Sequence, residues 1–319
     1  MARTASRRDD ARYRAAEQAV WSSRGLVPEE HRVDVPELGL GIRALVHGEG
    51  RPVVFVHGTP SAANVFVPLV ERLEGVRAIL IDRPGCGLSD PIDYTTMTPG
   101  RLREVIGAYM CAVIDELAGG VADLIGSSAG GMVVLTFAAM RPELVRSVVL
   151  ERMPAVEWMR LPVPMRMATF PPVAAAVVRH SMKERDVQQS FKEMGHGDLV
   201  RSGAMPRADV DWRMAVGNFS DTFLHELALL QRAASWRGPR RGWAAGASTL
   251  AQVQAPTLWL VGDRDPFAPA RGVAELAALM PHATVEARPG EGHLPWVDAP
   301  REHARIIGDW WAGLGAGPS

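Results

Sequence analysis

The chain has 319 residues, of which 47% are hydrophobic and 22% charged, and its 35 basic and 36 acidic side chains give a formal net charge of −1. This composition is typical of a soluble globular protein with a sizeable core, and it excludes a small stapled fold and a strongly basic nucleic-acid-binding protein. Cys86 and Cys111, the two cysteines, lack the spacing of a metal site, so we expect a reducing, cytoplasmic location and no metal. Because no apolar run reaches the roughly 18 residues of a membrane span, no membrane partner is expected.

The first predicted element is an N-terminal helical arm over residues 1–30, with a helix at about 9–23. Its arginine-rich start lacks the apolar stretch of a signal peptide, which favours a packing helix over a targeting segment. Residues 31–36 and 40–48 carry β-branched side chains in short runs and predict a pair of strands turned at 37–39.

Six short apolar runs follow, of the kind found in strands that are buried on both faces of a parallel sheet. They cover 52–58, 78–85, 121–126, 147–151, 256–263 and 283–287. Helical stretches alternate with them, at 65–73, 98–117, 130–140, 271–280 and 301–311. Together with the opening pair, this pattern predicts an α/β fold with a doubly wound, mostly parallel, eight-stranded sheet.

Residues 152–250 interrupt this alternation. They contain helical fragments and prolines but no convincing parallel strand, and they hold eight of the fourteen methionines and four of the nine tryptophans. The segment is too long to be a loop. We therefore predict a helical cap inserted into a core that comprises residues 31–151 and 251–319.

The strongest local motif is Gly126-Ser127-Ser128-Ala129-Gly130, which fits G-x-S-x-G between a predicted strand and a predicted helix. The glycines permit a sharp turn that exposes the central serine, and the start of the helix favours developing negative charge there. Ser128 is therefore the candidate nucleophile.

A serine hydroxyl needs a base and an acid that orients the base. Asp265 and His293 each follow a predicted parallel strand, and one helix and one strand separate them. Because open α/β sheets place their sites at the carboxyl ends of the strands, we expect both side chains at the same edge as Ser128.

Five motifs in this order and spacing resemble the α/β-hydrolase superfamily, and its capped serine hydrolases (esterase- and lactonase-like) in particular. They are HGTP (57–60), DRPGCGLSD (82–90), GSSAGG (126–131), GDRDPFAP (262–269) and GHLPW (292–296). The resemblance implies a catalytic triad of Ser128, Asp265 and His293. It also implies an oxyanion hole made by the backbone N–H groups of Thr59 and Ala129.

Two rivals for the acid remain. The family's usual spacing selects Asp265 over Asp263, whereas Glu151, at the end of the strand after the nucleophile helix, is the main alternative because some relatives take their acid from that strand. The resemblance makes His57 a structural residue of the oxyanion loop.

The resemblance implies acyl transfer to water without a cofactor. Haloalkane dehalogenases and epoxide hydrolases use an aspartate nucleophile, whereas the elbow here presents a serine. Epoxide hydrolases also use tyrosines of the cap to protonate the opening ring, and the three tyrosines of this chain all lie outside the insertion. Hydrolysis of an ester, lactone or thioester through an acyl-enzyme is the favoured reading. Carbon–carbon bond hydrolysis of a diketone, a cofactor-free perhydrolase and a non-catalytic ligand sensor stay open.

The methionine-rich insertion predicts the substrate class. If it covers Ser128, its apolar side chains form a closed pocket for a hydrophobic, uncharged molecule of moderate bulk. Met153, Trp158, Trp212 and Leu294 are the expected lining residues. No partner other than this small molecule is expected, and the protein is predicted to be a monomer or a homodimer.

Overall fold

The computed structural model describes residues 6–267 and 270–315. Outside these ranges lie residues 1–5 of the predicted arm, residues 268–269 at the end of the GDRDPFAP motif, and residues 316–319 at the end of the predicted core.

The strands form one large sheet and one short hairpin. Their bounds are β1 (Glu29–Val35), β2 (Leu40–His47), β3 (Arg51–Val56), β4 (Val76–Ile81), β5 (Ala122–Gly126), β6 (Val145–Glu151), β7 (Ala234–Ser235), β8 (Gly238–Pro239), β9 (Thr257–Gly262) and β10 (Ala283–Arg288). The large sheet has the order β1-β2-β4-β3-β5-β6-β9-β10. Strand β2 runs antiparallel to both its neighbours, and the later pairs are parallel. The predicted eight-stranded, mostly parallel sheet is confirmed.

Helices cover both faces of this sheet. Their bounds are α1 (Asp10–Ser22), α2 (Val67–Val70), α3 (Pro99–Ala118), α4 (Ala129–Met140), α5 (Val163–Met167), α6 (Pro171–Arg179), α7 (Glu184–Glu193), α8 (Gly197–Ser202), α9 (Arg207–Phe219), α10 (Thr222–Ala233), α11 (Ala247–Gln252), α12 (Ala270–Ala277), α13 (Pro295–Asp298) and α14 (Pro300–Gly315). Short 3₁₀ turns occupy Ala63–Phe66 and Pro142–Leu144.

Strand β3 shows why the central parallel strands are apolar at most positions. Strand β10, at the edge of the sheet, is exposed or half-buried throughout, so the prediction that it is buried on both faces is wrong. Val54 and Val56 belong to the hydrophobic cluster that includes side chains of α3, α4 and α11. Val53 and Phe55 belong to a second cluster, with side chains of α1, α2 and α14. Since successive side chains of a strand point to opposite faces, a strand between two helical layers needs apolar residues throughout.

One predicted helix is shorter than expected. The stretch 65–73 forms a 3₁₀ turn and then the four-residue α2. The carbonyl oxygen of Val65 accepts a hydrogen bond from the indole Nε1 of Trp296 at 2.8 Å, and Pro68 has no N–H to donate within a helix. The tertiary contact at Val65 competes with a helix over the whole stretch, and Pro68 marks the first turn of the short helix, where its missing N–H is tolerated.

The insertion, residues 152–250, joins β6 to β9 through α5–α10, the β7–β8 hairpin and α11. Helix α1 packs against its helix α9, where the Asp9 N–H donates to Phe219 O at 3.0 Å and Arg24 pairs with Asp209 at 2.6 Å. The N-terminal helix is therefore attached to the insertion as well as to the sheet. In the part of the chain that the structure describes, none of the helices has the length and apolarity to cross a membrane.

Candidate active site

Ser128 lies at a sharp turn between β5 and α4, with φ 53° and ψ −115°. The glycines two positions before and after Ser128 are required, because a side chain at either position would clash with its neighbours. A Cβ at Gly130 would lie 1.9 Å from the carbonyl oxygen of Val56, and a Cβ at Gly126 would lie 2.5 Å from Val134 Cγ2. Non-glycine residues rarely adopt a positive φ, and such strain is found at functional sites. The elbow holds the hydroxyl of Ser128 above the sheet edge.

Asp265 and His293 meet at the same edge. His293 Nδ1 donates to Asp265 Oδ2 at 2.8 Å, and both side chains are buried. The carboxylate also accepts the backbone N–H groups of Phe267 at 2.9 Å and Met153 at 3.3 Å. Burial alone would raise the pKa of Asp265, but His293 and these hydrogen bonds outweigh it and lower that pKa below its usual value. The ionised carboxylate therefore fixes the His293 tautomer that has its proton on Nδ1.

The imidazole of His293 is held neutral. Its ring stacks on Phe267 with 4.0 Å between centroids. Burial and the nearby positive charge of Arg152 outweigh Asp265 and lower the pKa of His293 to about 4. Its Nε2 is thus free of a proton at neutral pH and can accept one. Within the described residues, no hydrogen bond joins His293 to Ser128 Oγ.

The predicted oxyanion donors, Thr59 and Ala129, line one cavity together with Ser128. Ala129 is the first residue of α4, so its N–H has no acceptor within the helix. The Thr59 side chain is anchored elsewhere, because its hydroxyl donates to Glu226 and accepts from Arg83. Both residues therefore border the same cavity as Ser128.

His57 shapes the loop that carries Thr59. Its Nδ1 donates to the carbonyl oxygen of Gly58 at 2.8 Å, and its Nε2 accepts the backbone N–H of Arg83 at 3.0 Å. Burial, together with the charge of Arg83, lowers the pKa of His57 well below its usual value. Both ring nitrogens are occupied by the backbone, so this histidine cannot act as a base.

The alternative acid, Glu151, does not reach His293. Its carboxylate binds His303 Nδ1 at 2.9 Å, and His303 Nε2 contacts Glu291 at 2.8 Å. Although burial would lower the pKa of His303, the two carboxylates raise it to about 10. The geometry therefore brings Asp265, rather than Glu151, to the imidazole of His293.

One cavity adjoins the elbow, a second lies beside it, and Thr59 lines both. The first, about 90 Å³, is called the Ser128 cavity; it includes Ser128, Ala129, Met132, Met159, Leu161, Met165 and Leu230. The second, about 120 Å³, is called the Arg152 cavity; it includes Ser61, Arg152, Phe191, Trp212, Arg213 and Leu294.

The predicted lining residues divide among different places. Trp212 and Leu294 line the Arg152 cavity. Met153 is buried and contacts Asp265 through its backbone, without lining either cavity. Trp158 is 53% exposed and lines neither, so its prediction as a pocket residue is corrected. It lies in the irregular chain before α5, where the side chain projects from the insertion.

Sequence reasoning missed several charged residues near Ser128. Arg152 and Arg213 line a cavity, and Glu226 of α10 pairs with Arg83 at 2.8 Å. A signal existed for Arg152, because an arginine directly after a buried strand is unusual. No group of three or more His, Cys, Asp or Glu side chains that could hold a metal occurs in residues 6–267 and 270–315.

Comparison with known proteins gives consistent matches. A family model described as the alpha/beta hydrolase fold matches residues 51–300. A pimeloyl-[acyl-carrier protein] methyl ester esterase of Xanthomonas campestris pv. campestris is 28% identical over 265 residues, covering 79% of this chain and 91% of its own length. Naproxen esterase (carboxylesterase NP) from Bacillus subtilis aligns with a TM-score of 0.69 at 15% identity, covering 95% of this chain and 98% of that one. An E-2-(acetamidomethylene)succinate hydrolase aligns with a TM-score of 0.67 at 23% identity, covering 89% of this chain and 98% of that one.

Proposed function

The chain belongs to the α/β-hydrolase family and is a carboxylic-ester hydrolase, and on that premise we propose that it works through an acyl-enzyme on Ser128, with His293 as base and Asp265 as the orienting acid. The observation that carries this proposal is the 2.8 Å hydrogen bond between Asp265 and His293, at the sheet edge where the elbow presents Ser128.

In the first half-reaction, His293 Nε2 accepts the hydroxyl proton as Ser128 Oγ attacks the ester carbonyl carbon. Asp265 stabilises the imidazolium through Nδ1. The oxyanion of the tetrahedral intermediate accepts hydrogen bonds from the N–H groups of Thr59 and Ala129. When the intermediate collapses, the C–O bond to the alcohol breaks, and the alcohol leaves with the proton from His293.

In the second half-reaction, His293 takes a proton from water, whose oxygen attacks the acyl carbon. The collapse of this second intermediate returns the proton to Ser128 Oγ and releases the carboxylic acid. No cofactor enters either step.

The walls of the Ser128 cavity support an apolar group on the ester. Methionine and leucine side chains of the insertion, including Met159, Leu161 and Met165, face Ser128 there. Methionine adapts its shape to different apolar groups, so several acyl lengths fit. Methyl esters and lactones of small hydrophobic acids are both within this class, and the curated relatives are named for a methyl ester.

A fluorophosphonate probe tests the nucleophile. We expect stoichiometric labelling of the wild type and of Ser127→Ala, and none of Ser128→Ala. Ser127 is the matched control because it is the adjacent serine of the same turn. Labelling that persists in Ser128→Ala, or an enzyme that hydrolyses no ester at all, would contradict the proposal.

A further inference from the structure

The Arg152 cavity contains two arginines that form no ion pair within the described residues, and we propose that it binds a carboxylate of the substrate between Arg152 and Arg213 while the ester lies at Ser128. This inference rests on the proposed function. The proposed substrates are half-esters or other esters that carry a free carboxylate. This proposal replaces the expectation of an uncharged substrate.

Arg152 is only 4% exposed. Its Nη1 donates to the carbonyl oxygen of His293 at 3.3 Å, and its guanidinium lies 5.6 Å from the ring centre of Trp296. Its Nε is buried without an acceptor, and among the described residues no carboxylate comes within ion-pair distance. A buried cation without a counter-charge is costly, which is the usual sign of a missing anionic partner.

The acids nearest to Arg152 are already bound by other groups. Asp265 is bound by His293, and Glu151 by His303. Asp186 also lines the cavity, but it accepts from His180 at 2.8 Å and from the backbone N–H of Lys183 at 2.8 Å at the start of α7. None of these carboxylates forms an ion pair with Arg152 in the described residues, although the charges of Asp265 and Glu151 offset part of the effect of its burial.

Arg213 approaches from α9 of the insertion. Its guanidinium lies 4.6 Å from the ring centre of Phe191 and 5.5 Å from that of Trp212, and its buried Nε has no acceptor. The nearby Asp209 is bound by Arg24 at 2.6 Å. In the described part of the chain, Arg213 therefore has aromatic contacts and no ion pair.

The charged form is disfavoured at both guanidinium groups. Burial, with the charges of Arg213 and Arg83, lowers the pKa of Arg152 to about 9 against the opposing effect of Asp265. Burial also lowers the pKa of Arg213 to about 10. An anion between them would relieve both effects. The hydroxyl of Ser61, buried without a partner and lining the same cavity, is a third donor.

The guanidinium of Arg152 also lies close to the nucleophile. The position of a Cβ on Gly58 would be 2.1 Å from Arg152 Nη2 and 3.0 Å from Ser128 Cβ. Thr59 lines both cavities. One small molecule can thus place its ester at Ser128 and its carboxylate at the arginines, whose planar forks match a carboxylate.

Two matched pairs of esters test this proposal and show which end carries the acid. On the acyl side, mono-4-nitrophenyl adipate is compared with 4-nitrophenyl hexanoate; on the alcohol side, 4-carboxyphenyl butanoate is compared with 4-carbamoylphenyl butanoate. We expect kcat/KM to favour the carboxylate in at least one pair by about tenfold or more, as hydrogen bonds to charged groups do.

Arg213→Gln is expected to abolish that preference, because it removes one of the two guanidinium groups that would bind the carboxylate. Arg207→Gln, the matched control, removes an exposed arginine from the same helix and should retain the preference. Equal kcat/KM for both members of both pairs, or a preference that survives Arg213→Gln, would overturn the proposal.

A binding measurement separates this inference from the proposed chemistry. Calorimetry on Ser128→Ala, which needs no turnover, is expected to show adipate binding at least about tenfold more tightly than dimethyl adipate. Failure of the wild type to hydrolyse any ester would defeat the proposed function but leave this comparison valid. Adipate that binds no better than its dimethyl ester would overturn the carboxylate site, whatever the enzyme hydrolyses.

Discussion

Glu226→Gln is expected to destabilise the protein and slow its chemistry, because Glu226 is the counter-charge of a buried arginine. The carboxylate accepts Arg83 Nη2 at 2.8 Å, Cys86 Sγ at 3.2 Å and the hydroxyl of Thr59. Burial alone would lower the pKa of Arg83, but Glu226 outweighs it and raises that pKa. The amide of the glutamine carries no negative charge. Its NH2 group would also replace one carboxylate oxygen, so a hydrogen-bond donor would face the donors that Glu226 now binds.

The expected loss in the free energy of unfolding follows from burial. The Arg83 and Glu226 side chains are 4% and 0% exposed, so solvent screens their attraction little. Breaking such a pair by changing one partner costs about 3–5 kcal/mol, a large part of the roughly 5–15 kcal/mol that stabilises a typical domain. Because Thr59 would lose its anchor, kcat should also fall, with a smaller change in KM.

Urea denaturation and ester kinetics on the same samples measure both effects. Asp309→Asn is the matched control, since it makes the same carboxylate-to-amide change in an exposed pair with Arg305 and should alter stability little. The double variant Arg83→Met/Glu226→Leu should be less destabilised than the two single changes combined. A free energy of unfolding for Glu226→Gln within about 1 kcal/mol of wild type would refute the reasoning.

Four further outcomes are expected. Asp265→Asn should lower kcat by about four orders of magnitude, because the amide no longer holds the reactive tautomer of His293; near-normal rates would exclude Asp265 as the acid. The kcat/KM of the wild type should fall only as the pH drops towards about 4, where His293 gains its proton. Circular dichroism at each pH checks that the protein stays folded. A fall in kcat/KM that begins above pH 6 would contradict the lowering of the His293 pKa by burial and by the charge of Arg152. The free energy of unfolding of the wild type should exceed that of His303→Gln most below pH 6.5, and the difference should decline up to about pH 10, by at most about 1.4 kcal/mol per pH unit. The reason is that the folded state raises the pKa of His303, so its stabilising proton is lost over that window. A difference that does not depend on pH would argue against the charged imidazole. Gly130→Ala should yield little folded protein by circular dichroism, since its Cβ would lie 1.9 Å from a backbone oxygen; a well-folded variant would show that the elbow can move.

The main sheet could be predicted because the signal for each strand lies within its own short stretch of sequence. Each central parallel strand contains a short apolar run, and the alternation of Val53 and Val54 between two cores makes that run continuous. The elbow was also predictable, since its glycines are dictated by contacts within β5, α4 and the neighbouring β3. The positions of Asp265 and His293 followed from the same rule of strand ends.

Apart from Arg152, the buried charged pairs of the protein could not be predicted, because they depend on contacts between distant parts of the chain. Glu226 and Arg83 are 143 residues apart, and Glu151 and His303 are 152 apart. Trp158 shows the same limit within the insertion, where short helices and prolines give no periodic pattern from which a buried face could be deduced.

If the Arg152 cavity binds a carboxylate of the substrate as proposed, the attachment of α1 to α9 gives the first helix a part in the choice of substrate. Helix α9 presents Trp212 and Arg213 to the cavity on one side and receives α1 on the other, through Asp9 and Phe219. On that proposal, a shortened first helix would alter the preference for carboxylate esters more than the rate of bond breaking at Ser128. Evolution could retune this enzyme from its amino terminus without touching its catalytic groups.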